Sequence, residues 1–113
     1  MKQRNYIFIC KAGHDRSPSA ARVAEEISKE RGLEARFSYG GIDSLVENIG
    51  DLKHYLDFFD GIFVMKENIR QRVLSYGIES FKVIDLDIAD IYDFMETELV
   101  NILRGKLEKY FQD

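Results

Sequence analysis

Short apolar runs alternate with longer amphipathic stretches along the whole chain, and this alternation constrains the fold more than any other feature. Buried strands are predicted at residues 6–9, 33–39, 61–65 and 81–86. Helices are predicted over residues 17–31, near 51–59, over 66–76 and from about 92 to 111. Strands separated by helices form a parallel sheet covered on both faces. The predicted class is therefore α/β, in a single three-layer domain of residues 1–113.

Glycines mark several of these predicted boundaries. Gly32 follows the last periodic residue of the first helix and predicts a C-terminal cap. Gly40 and Gly41 end the second strand, and Gly77 ends the helix of residues 66–76.

Composition excludes several classes of protein. The 113 residues are 45% hydrophobic and 12% aromatic, which excludes a disordered chain. A net charge of −4 argues against nucleic-acid binding. One cysteine forms no internal disulfide, and histidines at positions 14 and 54 have no metal-site spacing, so we expect no metal site. Without a signal segment or an apolar run long enough to span a bilayer, we expect a cytoplasmic monomer with no membrane partner.

The only cysteine, Cys10, ends the first predicted strand, and Arg16 follows six residues later, just before a helix. Ser17 and Pro18 are typical of a helix start, with serine at the N-cap and proline at the first helical position. A loop this short turns successive backbone N–H groups, and the positive end of the helix, toward one point. The residues from Lys11 to Asp15 and Arg16 are thus predicted to bind phosphate or sulfate above the thiol.

This geometry suits attack of a thiolate on phosphorus. Helix N-termini and cations favour the thiolate, which is the nucleophilic form of cysteine. The planar guanidinium of Arg16 binds two phosphoryl oxygens at once, and Ser17 is placed to donate a hydrogen bond to the sulfur. A lone cysteine at a strand end is often only a small buried hydrophobe. The arginine, the Ser-Pro pair and Gly13 within the loop together favour the catalytic interpretation.

These residues and the rest of the chain resemble the low-molecular-weight protein tyrosine phosphatases, and in particular a short prokaryotic branch described as predicted protein tyrosine phosphatases. The likeness includes residues 10–18, 37–40, 60–65 and 86–95. It implies a four-stranded parallel sheet in the order 2-1-3-4, the phosphatase I-like architecture. It also implies a two-step reaction through a cysteinyl phosphate, without metal or organic cofactor, on a phosphotyrosine protein or a small aryl phosphate.

Two loop residues depart from the family's pattern. Gly13 stands where the family commonly has asparagine, and both residue types tolerate left-handed backbone. Asp15 puts a carboxylate immediately before Arg16. It either opposes phosphate binding or points away and braces a neighbouring cation. Ala12 has no side-chain chemistry, Lys11 adds positive potential, and His14 either contacts substrate or is merely exposed.

The resemblance also implies a general acid in the loop after the fourth strand. Asp90, Ile91 and Tyr92 align with the family's aspartate–proline–aromatic triplet, without the proline. Asp90 is therefore the predicted acid, Asp87 its nearest competitor, and Tyr92 an aromatic wall beside the leaving group. The alternative is a solvated acidic loop that only caps the last helix. Asp85 and Asp87 also match the Asp-x-Asp start of magnesium-dependent phosphatases, but too little chain follows for that fold.

Three functions remain open at this point. The first is a phosphomonoester hydrolase, the predicted protein tyrosine phosphatase. The second is an arsenate reductase, which would need an external thiol because the chain has no second cysteine. The third is a module that binds a phosphorylated partner without cleaving it, with Gly13 and Asp15 as the hints.

Overall fold

Four parallel strands form the sheet of this computed structural model, which describes residues 3–112. The strands are β1 (Arg4–Cys10), β2 (Ala35–Gly41), β3 (Gly61–Val64) and β4 (Val83–Asp85). Their order is β2-β1-β3-β4, which confirms the predicted topology. The register pairs Cys10 with Gly41 and Ile9 with Val64, so three strands reach the same edge together. The predicted domain spans residues 1–113, and both of its ends lie outside the described residues.

Within residues 3–112, four helices connect the strands and a fifth follows β4. They are α1 (Arg16–Glu30), α2 (Ile42–Asn48), α3 (Leu52–Asp57), α4 (Glu67–Leu74) and α5 (Thr97–Leu107), with a 3-10 turn at Ser80–Lys82. Helix α1 packs against β1, β2 and α5, whereas α4 packs against β3 and β4. None of the helices within residues 3–112 is long and apolar enough to cross a bilayer.

Both faces of the central strands are covered, which explains their continuous apolar sequences. Residues 7–10 of β1 and all of β3 are buried. Aromatic rings from β1, β3 and the residues after α5 pack on one another. Phe63 stacks on Phe8 at a centroid distance of 4.9 Å, and Phe111 meets Tyr6 edge to face at 5.1 Å. Such pairs add about 0.5–1.5 kcal/mol each beyond the area that they bury.

The predicted end of the first helix is confirmed in detail. Gly32 has φ +66°, its amide donates to the carbonyl of Lys29, and the amide of Leu33 donates to the carbonyl of Ser28. These two bonds form the Schellman motif, which requires a left-handed residue at this position.

Some predicted element boundaries were wrong. Helix α2 was not predicted, although Ile42, Leu45, Val46 and Ile49 have the i, i+3, i+4, i+7 spacing of an apolar helical face. The last helix begins at Thr97 rather than near residue 92, and Met95 has φ +57°, which no α-helix accommodates. The fourth strand begins at Val83, since residues 80–82 form the 3-10 turn.

Candidate active site

The loop between β1 and α1 wraps around the sulfur of Cys10. Cys10 is the last residue of β1 and only 3% exposed. Gly13 has φ +79°, which brings its N–H to within 3.0 Å of Cys10 Sγ as a donor. The five residues from position 11 to 15 therefore fold back over the strand end instead of extending into solvent.

A contact between two glycines holds this loop against the end of β2. A Cβ at Gly13 would lie 2.6 Å from the backbone nitrogen of Gly41, and a Cβ at Gly41 would lie 2.5 Å from the carbonyl carbon of Ala12. Neither approach is possible for a residue with a side chain. The contact explains why this chain has glycine at position 13, where the resembling family commonly has asparagine.

The hydroxyl of Ser17 faces the sulfur rather than capping the helix. Helix α1 begins at Arg16, with Asp15 at the N-cap, so the predicted N-cap at Ser17 and first helical position at Pro18 were wrong. Pro18 is the third helical residue, where a missing N–H still costs no intrahelical bond. Ser17 Oγ lies 3.1 Å from Cys10 Sγ and 3.3 Å from the carbonyl oxygen of Gly40. It can donate to either acceptor.

Arg16 is buried to 4% exposure, and the residues of the loop after β4 fix its guanidinium. Its Nη1 donates to the carbonyl of Ile88 at 2.7 Å, and its Nε lies 3.6 Å from the carboxylate of Asp90. Within residues 3–112, Nη2 has no acceptor, and Ser28 Oγ is the sole side-chain N or O atom that is both buried and unpartnered. Nη2 therefore reaches solvent and is free to bind an anion.

Most amides of the loop are equally unengaged. Apart from Gly13, none of the backbone N–H groups at positions 11–17 donates to an acceptor within the described part of the chain. Buried or half-buried amides are normally paired. A run of free donors at the start of a helix, beside a guanidinium, is suited to binding a tetrahedral oxyanion.

The remaining predicted loop residues lie at its outer surface. Lys11, Ala12 and His14 are exposed, and Asp15 is half-buried. Within residues 3–112 the Asp15 carboxylate has no ion-pair partner, so the idea that it braces a cation finds no support. Its main-chain carbonyl accepts from Ser19 N–H and opens helix α1.

The three predicted residues after β4 lie in different surroundings. Asp90 is 68% exposed and faces Arg16. The hydrogen bond from Lys66, at 2.7 Å, and the charge of that lysine hold the pKa of Asp87 below its usual range. Tyr92 is half-buried; loss of hydration, followed by the nearby charges of Glu98 and Glu96, raises its pKa, so its phenol stays neutral.

Sequence reasoning missed four residues that shape this site. Gly41 was read only as a strand end, although the Gly40–Gly41 pair signals a close backbone approach. Ser19, Lys66 and Lys106 contact the loop after β4, and no local pattern in the sequence marked them. No group of three or more potential metal-ligating side chains gathers anywhere in residues 3–112.

Comparison with solved structures identifies the fold. The low-molecular-weight protein tyrosine phosphatase from T. tengcongensis superposes with a TM-score of 0.70 at 16% identity, covering 95% of this chain and 97% of that one. A protein tyrosine phosphatase from Entamoeba histolytica, with Hepes in its active site, gives 0.71 at 17% identity, with 95% and 94% covered. YwlE from Bacillus subtilis, described as an arginine phosphatase, gives 0.64 at 20% identity, with 96% and 94% covered.

No protein-family model matches the sequence, and no curated protein matches it. The chain therefore has the fold of the low-molecular-weight protein tyrosine phosphatases along nearly its whole length, as the sequence resemblance implied.

Proposed function

We propose that this protein is a phosphomonoester hydrolase in which Cys10 is the nucleophile and Arg16 binds the phosphoryl group. One observation carries the proposal: a loop curled around a buried sulfur, at 3.0 Å from the Gly13 amide, with its other amides unpaired within residues 3–112. Such a ring of fixed donors stabilises the charge that builds on phosphoryl oxygens, which is the largest part of catalysis for phosphoryl transfer. The fold shared with solved phosphatases supports the same function.

In the first step the Cys10 thiolate attacks phosphorus, a P–S bond forms and the P–O bond to the leaving group breaks. Arg16 Nη2 and the loop amides bind the non-bridging oxygens throughout. The carboxyl group of Asp90 donates a proton to the departing oxygen, so that an alcohol or phenol leaves rather than its anion.

In the second step water attacks the cysteinyl phosphate. Asp90, now a carboxylate, accepts a proton from this water, the P–S bond breaks and inorganic phosphate leaves. Ser17 Oγ, 3.1 Å from the sulfur, donates a hydrogen bond to the thiolate that re-forms. The stabilised thiolate is a better leaving group, which favours this step.

Between the two aspartates considered as acid, the surroundings favour Asp90. The carboxylate of Asp87 is bound to Lys66, which keeps its pKa low and makes it a poor proton donor. Asp90 instead lies beside Arg16, the residue that binds phosphate in this proposal.

The predicted substrate is a phosphotyrosine residue or another aryl phosphate. Ile91 is 75% exposed beside Asp90, and Tyr92 presents a neutral ring, so an apolar surface is available to a phenyl leaving group. Because YwlE is described as an arginine phosphatase, phosphoarginine is the second substrate to compare.

Hydrolysis of p-nitrophenyl phosphate between pH 5 and 8 tests the proposal. We expect turnover by the wild type, none by Cys10→Ser, and a slower chemical step in Asp90→Asn. Asp93→Asn is the matched control, since Asp93 is an exposed aspartate in the same loop without an ion-pair partner in residues 3–112. A wild-type protein that turns over neither this ester, phosphotyrosine nor phosphoarginine would contradict the proposal.

The same protein preparations separate the alternatives. Tight phosphopeptide binding without hydrolysis would indicate a binding module. Arsenate-dependent oxidation of glutathione or thioredoxin would indicate an arsenate reductase, with the added thiol supplying the electrons.

A further inference from the structure

The segment that carries Asp90, residues 86–96, has no helix or strand of its own. We refer to it as the 86–96 loop. It contains both non-glycine residues with positive φ found within the described chain, Asp87 at +53° and Met95 at +57°. Left-handed backbone at a residue such as methionine costs on the order of 1–3 kcal/mol and persists only where the surroundings impose it. Specific contacts must therefore hold both ends of this loop.

Two lysines hold its first end. Lys106, in the last turn of α5, donates from Nζ to the carbonyl of Leu86 at 2.7 Å and to that of Asp87 at 3.1 Å. Lys66 binds the Asp87 carboxylate at 2.7 Å. The Lys106 contacts go to main-chain oxygens, so they fix the path of the backbone three residues before Asp90.

A single hydroxyl holds the other end. Ser19 Oγ accepts a hydrogen bond from Met95 N–H at 2.8 Å, and Ser19 is fully buried. Ser19 lies one turn after Arg16 on helix α1. The same helix thus presents Arg16 to Ile88 and Asp90 in the middle of the loop, and Ser19 to its far end.

We propose that Ser19 and Lys106 are positioning residues that hold the 86–96 loop so that Asp90 reaches the leaving-group oxygen. This inference rests on the proposed function. Proton transfer requires hydrogen-bond distance in the transition state, and a displacement of about 1 Å can reduce a rate by roughly 10²-fold. Neither side chain itself touches the reacting atoms.

Leaving-group dependence distinguishes positioning of the acid from general damage to the enzyme. Departure of 2,4-dinitrophenolate needs no proton, whereas departure of phenol does. We expect Ser19→Ala and Lys106→Met to keep kcat/KM for 2,4-dinitrophenyl phosphate close to wild type. With phenyl phosphate, we expect kcat/KM to fall by about 10- to 100-fold, in the direction of Asp90→Asn. We compare kcat/KM because it reports the first step and not the second, in which Asp90 accepts a proton whichever ester is used.

The chain offers a matched control for each variant. Ser28 is another buried serine on α1, but its hydroxyl has no partner in residues 3–112, so Ser28→Ala removes the same atom without breaking a bond. Lys109→Met removes a lysine three residues after Lys106 that binds neither carbonyl. Lys106→Arg keeps donors at the site and should restore much of the phenyl phosphate rate.

Amide hydrogen exchange provides a readout that does not depend on activity. The Met95 amide should exchange slowly in the wild type and in Ser28→Ala, and at least about tenfold faster in Ser19→Ala. Equal loss of kcat/KM on both esters, or unchanged exchange at Met95, would overturn the inference. If the wild type hydrolyses neither ester, the proposed function and the kinetic role both fail. Faster Met95 exchange in Ser19→Ala would then still support the anchoring itself.

Discussion

The two ends of the sheet bury different kinds of side chain, polar at the carboxyl end and aromatic at the amino end. At the carboxyl end, three of the four buried polar residues of the described chain lie within the first four residues of α1, directly after the Cys10 loop: Arg16, Ser17 and Ser19. From the amino end to the middle, aromatic rings pack on one another instead. Buried polar groups contribute little net stability and are costly when left unpaired, whereas buried rings are the largest apolar contribution of any residue type. The comparison indicates that the aromatic region stabilises the fold and allows the other end to hold unpaired donors.

Among variants that keep the nucleophile, the comparison predicts the largest loss of function, with little loss of stability, for Arg16→Lys. Lysine keeps the charge, but its single nitrogen cannot replace both the Nη1 that donates to Ile88 and the Nη2 that is free for the phosphoryl oxygens. We expect kcat/KM for an aryl phosphate to fall by about 10³-fold. Arg22→Lys, at an exposed position of the same helix, should leave kcat/KM unchanged. Retention of activity within tenfold in Arg16→Lys would show that the second nitrogen of the guanidinium is not needed.

The aromatic end should show the reverse behaviour in Phe63→Ala. Phe63 is 2% exposed and packs against Phe8, Tyr6 and Phe111. Truncation should lower the free energy of unfolding by about 3–5 kcal/mol, measured by chemical denaturation. Activity per folded molecule should stay close to wild type. Phe81→Ala removes a ring that is 80% exposed and should change stability by less than about 0.5 kcal/mol.

Features that depend on local sequence patterns could be predicted from the sequence, whereas contacts between distant residues could not. Strands, the class of fold, the Cys10 loop and the left-handed Gly13 depend on local patterns, and the structure has all of them. The contacts that fix the 86–96 loop depend on residues far apart: Ser19 and Met95 are separated by 76 positions. Neither residue carries a periodic or motif signal. The predicted helix start at residue 92 was wrong for this reason, since the Ser19 contact accompanies a backbone that cannot be helical at Met95.

Gly13→Ala tests how closely the carboxyl end of the sheet is packed around the Cys10 loop. The substitution meets two obstacles, φ +79° and a contact of 2.6 Å with Gly41 nitrogen. Gly32→Ala meets only the first, because φ is +66° there but no atom lies within 4 Å. Each should lose about 1–3 kcal/mol of stability from backbone strain, and Gly13→Ala should lose more than Gly32→Ala. Phosphatase activity should fall only in Gly13→Ala; equal activity in both variants would contradict the glycine contact.

The smallest expected effect concerns Asp87, whose pKa in the folded protein is lowered by the hydrogen bond and charge of Lys66. A carboxylate with a depressed folded pKa stabilises the fold above its unfolded pKa, near 3.9, and loses that contribution as the pH falls through the folded value. Asp87→Asn should therefore lower the melting temperature slightly at pH 7 and not at pH 2. Asparagine also tolerates positive φ, so the change removes charge and little else.

Asp93→Asn again serves as the control, because Asp93 lies in the same loop without an ion pair in residues 3–112. The difference between wild type and Asp87→Asn should also shrink in high salt, since the pair is exposed. A difference that persists at pH 2 would mean that the backbone conformation, rather than the charge, is what Asp87 supplies. This end of the 86–96 loop would then be held by the hydrogen bonds from Lys106 to the carbonyl oxygens of Leu86 and Asp87.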